Sequence, residues 1–295
     1  MLLTTKKRGE TETFSFYFLV FQLKSVPLHT FCVNRIEHNK TMSVILHIET
    51  ATDVCSVAVS QDSAIIFQTD TLPHEGDSPQ NEKGTNHGSV LGVMVDEAIS
   101  FTDNHAIPFD AVAVSAGPGS YTGLRIGVSM AKGIAYGREL KLIAVPTLEV
   151  QCVPVLLVHD DLPEDALLCP MLDARRMEVY AALYTRALKA VMPTAPVVVD
   201  EHTFEKQLKE HPFYFFGNGA EKCKEVIRHP NAHFLDGVPL LAKYMSPLAE
   251  KKFLQGDFAD VAYFEPNYLK EFQATVAKNP LESLPQGNEK AEDDE

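Results

Sequence analysis

The hydrophobic pattern of this chain changes period several times, and each change marks an element. Three short runs, at 43–50, 54–60 and 64–71, are apolar or alternate at period two and are joined by tight connections. This predicts an antiparallel meander of three strands. Residues 73–88 are polar and punctuated by proline and glycine, a loop. Val90, Leu91, Met94, Val95, Ala98 and Phe101 then recur at the helical period and predict a helix over 89–102. A buried strand over 110–117, a helix from Thr122 to Tyr136, a strand over 142–146 and a helix from Thr147, weakened by Pro154, complete the first half.

The pattern then restarts. Strands are predicted at 167–173, 178–185 and 196–200, followed by a helix from about Thr203, a strand over 213–219 and a helix from Ala220. Residues 239–254 also read as helical, and 259–270 close the fold. The segments "ILHIETATDVCSVAV" and "CPMLDARRMEVYAAL" share one plan: an apolar strand ends at an acid, Glu49 or Asp173, and a second strand begins about five residues later. A duplicated strand–turn–strand unit with helices after it points to two related α/β subdomains.

Between them lies "AVSAGPGSYTGLRIGVSMAKGIAYG", Ala113 to Gly137. It fits no phosphate or nucleophile signature by spacing. Gly117, Gly119 and Gly123 miss the dinucleotide fingerprint by one residue, no G-K-[ST] follows, and Ser120 directly follows Gly119 where a nucleophile elbow needs an intervening residue. Two readings remain: a sharp strand-to-helix turn capped by Ser120 or Thr122, or an anion site at the helix N-terminus. Inside the helix, Gly123, Gly127, Ala131 and Ala135 form one nearly bare row beside Ile126, Met130 and Ile134. Such a row serves either an internal helix or a subunit interface.

Composition narrows the function. The 295 residues are ordinary globular material, but 40 acidic against 26 basic side chains give a net charge of -14, which speaks against the chain gripping a nucleic-acid backbone alone. Five cysteines at 32, 55, 152, 169 and 223 include no C-x-x-C pair and read as buried thiols of a reducing, cytoplasmic compartment. The apolar patch from Phe14 to Leu23 is too short to span a bilayer, and "MSVILHIET" from Met42 reads as a natural first strand. Residues 1–41 are therefore expected to be a non-native or disordered extension. The subdomains are expected at 42–146 and 147–275, with an acidic disordered tail over 276–295.

Candidate chemistry is sparse. His87 has Leu91 four positions on, so it lacks the second histidine of a helical metal site, and His229 with His233 straddle Pro230 in a loop. Arg175 and Arg176 could hold a phosphate or a partner's carboxylate, or make ion pairs across the hairpin. Two enzyme readings stay open on these residues: an ATPase or kinase using Glu49 and Asp173 around a metal-nucleotide, and a metallopeptidase using His229.

Taken together, "LHIETAT", "CSVAV", "HGSVLGVMVDEAI", the glycine-rich segment, "PTLE" and "MLDARRMEVY" resemble the TsaB (YeaZ) family, strongly from Met42 to Thr185 and loosely to Lys270. The resemblance implies an actin-like ATPase fold (the ribonuclease H-like class), α/β, with two subdomains that each carry a mixed sheet flanked by helices. It implies a non-catalytic partner in forming threonylcarbamoyladenosine at position 37 of tRNA, with no catalytic, cofactor or metal residues of its own. That partner acts with a TsaD-like catalytic subunit and, through the complex, a TsaE-like ATPase; it is a homodimer when alone and touches tRNA only indirectly. The helices after the first sheet would form its interfaces, which places the expected partner contacts at Val90, Met94, Gly123, Arg125, Gly127, Met130, Ala131 and Ile134.

Overall fold

A computed structural model describes residues 43–73 and 87–270; the readings for residues 1–41, most of the 73–88 loop, Cys32 and the 276–295 tail lie outside them. The meander forms as β1 (Val44–Glu49), β2 (Ser56–Gln61) and β3 (Ala64–Asp70). It is followed by α1 (His87–Asn104), β4 (Ala111–Ser115), α2 (Tyr121–Gly137), β5 (Lys141–Val145) and α3 (Thr147–Val158). The second half contains β6 (Leu167–Asp173), β7 (Glu178–Thr185), β8 (Ala190–Val198), α4 (Glu205–Leu208), β9 (Phe213–Phe216) and β10 (Ala232–Leu235), and α5 (Ser246–Gln255) ends it.

The two sheets repeat one topology. The first runs β3-β2-β1-β4-β5 and the second, read from its antiparallel edge, β8-β7-β6-β9-β10. In each, the first three strands pair antiparallel, and the first strand then pairs parallel with the fourth, which pairs parallel with the fifth. Both sheets are covered on both faces, which explains why their central strands read as continuous apolar runs.

Alternation sorts each central strand between two cores. Leu46 and Ile48 of β1 join Val57, Val59, Val112 and Val114 beneath α1 and α2. Ile45, from the opposite face of β1, meets Ile143, Leu148 of α3, and Leu168 and Leu172 of the second sheet. The outer face of the second sheet packs Cys169, Met171, Phe213 and Phe215 against Phe204, Leu208 and Ile227. The middle core is thus shared by both halves. Helix α3 lies within it, buried from Thr147 to Val155 at every position but the half-buried Glu149, Pro154 included. Burial on all sides outweighs the hydrogen bond that Pro154 removes, so the helix runs through it.

Two expectations need correction. The helix from Thr203 shrinks to the single turn Glu205–Leu208, and that from Ala220 to a 3-10 turn at Glu221–Cys223. The second half keeps the sheet but joins its strands with much shorter covered crossovers, since 217–231 must carry the chain from β9 back to the parallel β10. Residues 242–270, assigned by chain order to the second subdomain, pack on the first: Ala242 N donates to Ser56 Oγ at 2.8 Å, Ser246 Oγ to Ser63 O at 2.8 Å, Ser43 Oγ to Glu250, and Ala259 N to Leu142 O at 2.8 Å.

The shared core predicts joint unfolding. Leu148→Ala removes a fully buried side chain from it and is expected to destabilise the protein by about 2–5 kcal/mol. Urea unfolding followed by circular dichroism should show one transition, shifted as a whole. Two separated transitions would mean that the halves unfold independently.

Candidate functional site

Each half builds a glycine turn at the end of its fourth strand. After β4 comes Gly117-Pro118-Gly119, and after β9 comes Gly217-Asn218-Gly219; Gly117 and Gly217 take φ of 95° and 100°, a region that favours glycine. Each turn leans on the end of its sheet's first strand. A Cβ on Gly119 would stand 2.5 Å from the Ala51 carbonyl oxygen, and one on Gly219 would stand 2.8 Å from the Leu172 carbonyl carbon. These positions face each hairpin that carries an acid, Glu49 or Asp173.

The first turn is stapled on three sides. Ser120 N donates to Ala51 O at 2.7 Å, and Ser120 Oγ caps α2 by accepting from Gly123 N at 3.2 Å. Thr147 Oγ1 accepts from Gly117 N at 3.1 Å, and Asn267 N donates to Ala116 O at 2.7 Å. Ala51 fills the space beside Gly119. Of the two readings of this segment, the structure carries the turn.

The small row of α2 is internal. A Cβ on Gly123 would meet the Thr50 carbonyl oxygen at 2.1 Å, and one on Gly127 would meet Thr50 Oγ1 at 2.2 Å; Thr50 Oγ1 itself donates to Gly123 O at 2.8 Å. Gly123, Gly127 and Ala131 are buried, as is Met94 of α1. These four are therefore withdrawn as surface contacts: the glycines exist to let β1 end against the helix. Val90, Met130 and Ile134 are half-buried at the edge of the same core, and Arg125 is exposed, with its guanidinium 5.2 Å above the Tyr121 ring. Around them the outer surface of the two helices carries Val93 at 59% and Tyr136 at 82% exposure, and Gly92 and Gly133 face open space.

The acids of the two hairpins are occupied from within. Glu49 is fully buried, accepts from Ser115 Oγ, and accepts from Ala51 N at 2.7 Å. Burial pushes its carboxyl up to about 7, although those hydrogen bonds pull the other way. Asp173 pairs with Lys222, whose ammonium also donates to Glu178 O at 2.7 Å, and Asp173 N donates to Asn218 Oδ1 at 3.0 Å. Lys222 and Asn218 were not singled out from sequence; the signal available was the second G-x-G at a strand end, echoing the first.

The remaining candidates are structural. His229 Nδ1 accepts from Asn231 N at 3.1 Å, while His233 stacks on Tyr214 with ring centroids 4.9 Å apart. Among the described residues no group of three His, Cys, Asp or Glu side chains is placed to hold a metal ion. Cys55, Cys152, Cys169 and Cys223 are buried free thiols, and burial holds all four above the usual thiol range. No described helix is long and apolar enough to cross a membrane.

Two mixed sheets of identical strand order, flanked by helices and closed by paired glycine turns, define an actin-like α/β protein of the ribonuclease H-like class. The chain belongs to the family described as "TsaD: tRNA N6-adenosine threonylcarbamoyltransferase", whose model matches residues 73–283. Curated relatives that it matches over most of their length are called tRNA threonylcarbamoyladenosine biosynthesis protein TsaB. The one from Escherichia coli (strain K12) is 29% identical over 232 residues, 77% of this chain and 94% of the relative. The one from Bacillus subtilis (strain 168) is 27% identical over 236 residues, 78% and 95%. The solved structure of YeaZ from Pseudomonas aeruginosa has the same fold, with a TM-score of 0.59 at 20% identity over 77% of this chain and all of that one.

Two outcomes follow from this geometry. Gly127→Leu is expected to destabilise the monomer by about 1–3 kcal/mol through overpacking against Thr50, with a fall in melting temperature that does not depend on protein concentration; a fall that vanishes on dilution would instead place the row at an interface. Glu49 titrates higher folded than unfolded, so the folded chain holds its proton more tightly. Its contribution is fully present below about pH 4.5 and is lost as pH rises towards about 7. Over that window Glu49→Gln should gain on the parent by an amount on the order of 3 kcal/mol in denaturant unfolding; a pH-independent difference would show that Glu49 titrates alike in the folded and unfolded chain.

Proposed function

We propose that this chain is a non-catalytic accessory subunit required for threonylcarbamoyl transfer to adenosine 37 of tRNA. It engages a TsaD-like catalytic subunit directly and a TsaE-like ATPase through the complex, and it pairs with itself when alone. The observation that carries this reading is the internal occupation of both hairpin acids. Glu49 is sealed by Ser115 and the Ala51 amide, and Asp173 is held by Lys222, so neither is placed to hold a metal-nucleotide. The family membership and the names of the relatives that match at nearly full length supply the pathway. The net charge of -14 favours a chain that leaves the tRNA backbone to its partner, in the cytoplasm.

The proposed docking face is the outer side of α1 and α2. Val90, Met130, Ile134 and Arg125 belong to it, with Val93, Gly92, Gly133 and Tyr136 at its surface. Bare glycines next to exposed apolar side chains allow another helix to approach closely, and such contacts are dominated by buried apolar area.

The test uses positions that tolerate change. Val93→Glu with Gly133→Glu adds two charges where a side chain meets open space, so the monomer should keep its melting temperature. Co-purification with a TsaD-like subunit should weaken at least about tenfold, equivalent to ~1.4 kcal/mol, and tRNA modification in the reconstituted system should fall with it. Undiminished pairing would move the interface elsewhere. ATP turnover by the purified chain that disappears in Asp173→Ala would replace the accessory reading with an ATPase.

A further inference from the structure

Helix α3 reaches both glycine turns. At its N-terminus Thr147 clasps the first: Thr147 Oγ1 accepts from Gly117 N, and Thr147 N donates to Gly117 O, each at 3.1 Å. Gln151 lies one helical turn further along the same face. Its side chain meets the second turn: a Cβ on Gly217 would collide with Gln151 Nε2 and with the Met171 carbonyl oxygen. Gly117 and Gly217 share the backbone that favours glycine, φ 95° and 100°. Side chains four apart on a helix stand about 5–6 Å from one another. A single turn of α3 therefore sets the spacing between a turn of the first half and a turn of the second.

The contact at Gly217 is incomplete. Gln151 is 1% exposed, and its Oε1 is buried without a hydrogen-bond partner. Among the described residues Gly217 N has no acceptor. The neighbours of Gln151 on α3, Val150, Cys152 and Val153, are buried and apolar, so leucine or methionine would suit the position with no polar group to satisfy. A buried acceptor left unpaired carries the full cost of losing water. Here the acceptor points away from the turn while the amide nitrogen faces it. Turning the terminal amide by half a revolution exchanges the two, and that torsion is broad and soft.

We propose that Gln151 is a positioning residue that couples the two halves: its Oε1 accepts from Gly217 N, as Thr147 Oγ1 accepts from Gly117 N, and α3 carries a displacement of one turn to the other. On one side the first turn leads through the Ser120 cap into α2. On the other the second turn leads to Asn218, whose Oδ1 accepts from Asp173 N, and to Lys222, which pairs with Asp173. The coupling joins the start of the helix that carries the docking face to the hairpin of the second half. It is a property of the single chain and stands whichever partner occupies that face.

The test uses the full chain without a partner, labelled with nitrogen-15. Gln151→Leu removes the acceptor and keeps an apolar side chain in the core. Gln151→Met does the same at the original length and serves if the leucine variant does not fold. In either, solvent exchange of the Gly217 amide should quicken at least about tenfold, while the amides of α3 keep the parent's rates. Thr147→Val takes the acceptor from Gly117 N at nearly the same shape. It should shift the amide signals of residues 217–222 in the parent and leave them in place in the Gln151 variants, the non-additivity that marks two coupled sites. Equal Gly217 exchange in parent and variant would overturn the bond. Shifts at the second turn that persist without Gln151 would overturn the coupling. Exchange that quickens throughout α3 would overturn both, since Gln151 would then only pack.

Discussion

The architecture turns on how closely the first strand of each sheet can end against the turn after the fourth. At Gly119 and Gly219 the neighbouring main chain stands where a Cβ would be. No side chain fits there, so the strand ends, the glycine turns and the hairpin acids are fixed relative to one another in both halves. Thr50 extends the same constraint into α2 by taking the space that side chains at 123 and 127 would fill. Once these contacts are set, the parallel pairing of first and fourth strands follows, and with it the division of the apolar residues into an outer core and a shared one.

The same tight packing occupies both hairpin acids from within the fold. A hairpin acid beside a glycine turn is an arrangement that can serve a phosphate and its metal. Here Ala51 fills the first turn and Glu49 lies beneath it as a buried, hydrogen-bonded carboxyl, while a lysine neutralises Asp173 in the second. The charges are used to hold the two hairpins in shape.

Much of the fold was legible because strands and amphipathic helices announce themselves by period. The meander, α1, α2 and both hairpins follow from runs such as Val57–Val59 and the Leu91, Met94, Val95, Ala98 stripe. The duplication was legible from two acids at matching strand ends. What stayed hidden depends on contacts far apart in the chain. The bare row Gly123, Gly127 and Ala131 has the same pattern whether it meets another helix of a partner or Thr50 of its own strand, and only the fold decides. The return of 242–270 to the first sheet is made by contacts distant in the chain, the hydrogen bonds of Ala242 to Ser56 and Ala259 to Leu142 and the packing of Val261 and Phe264 on the first core, which no local period signals. The short crossovers of the second half were overread because a few apolar residues near Thr203 and Ala220 resemble the start of a helix, and nothing local counts the residues available before β10.

The segment after α5 runs from Ala259 on Leu142, past Lys132, which donates to Ala262 O and Phe264 O at 3.0 Å, to Asn267 on Ala116 and Lys270 on Glu178. It is a belt anchored along one lobe and buckled to the other. Any swing of one sheet against the other would have to break the Lys270–Glu178 pair and the shared core together. Belt and shared core thus tie the two sheets together from the outside and from the inside at once.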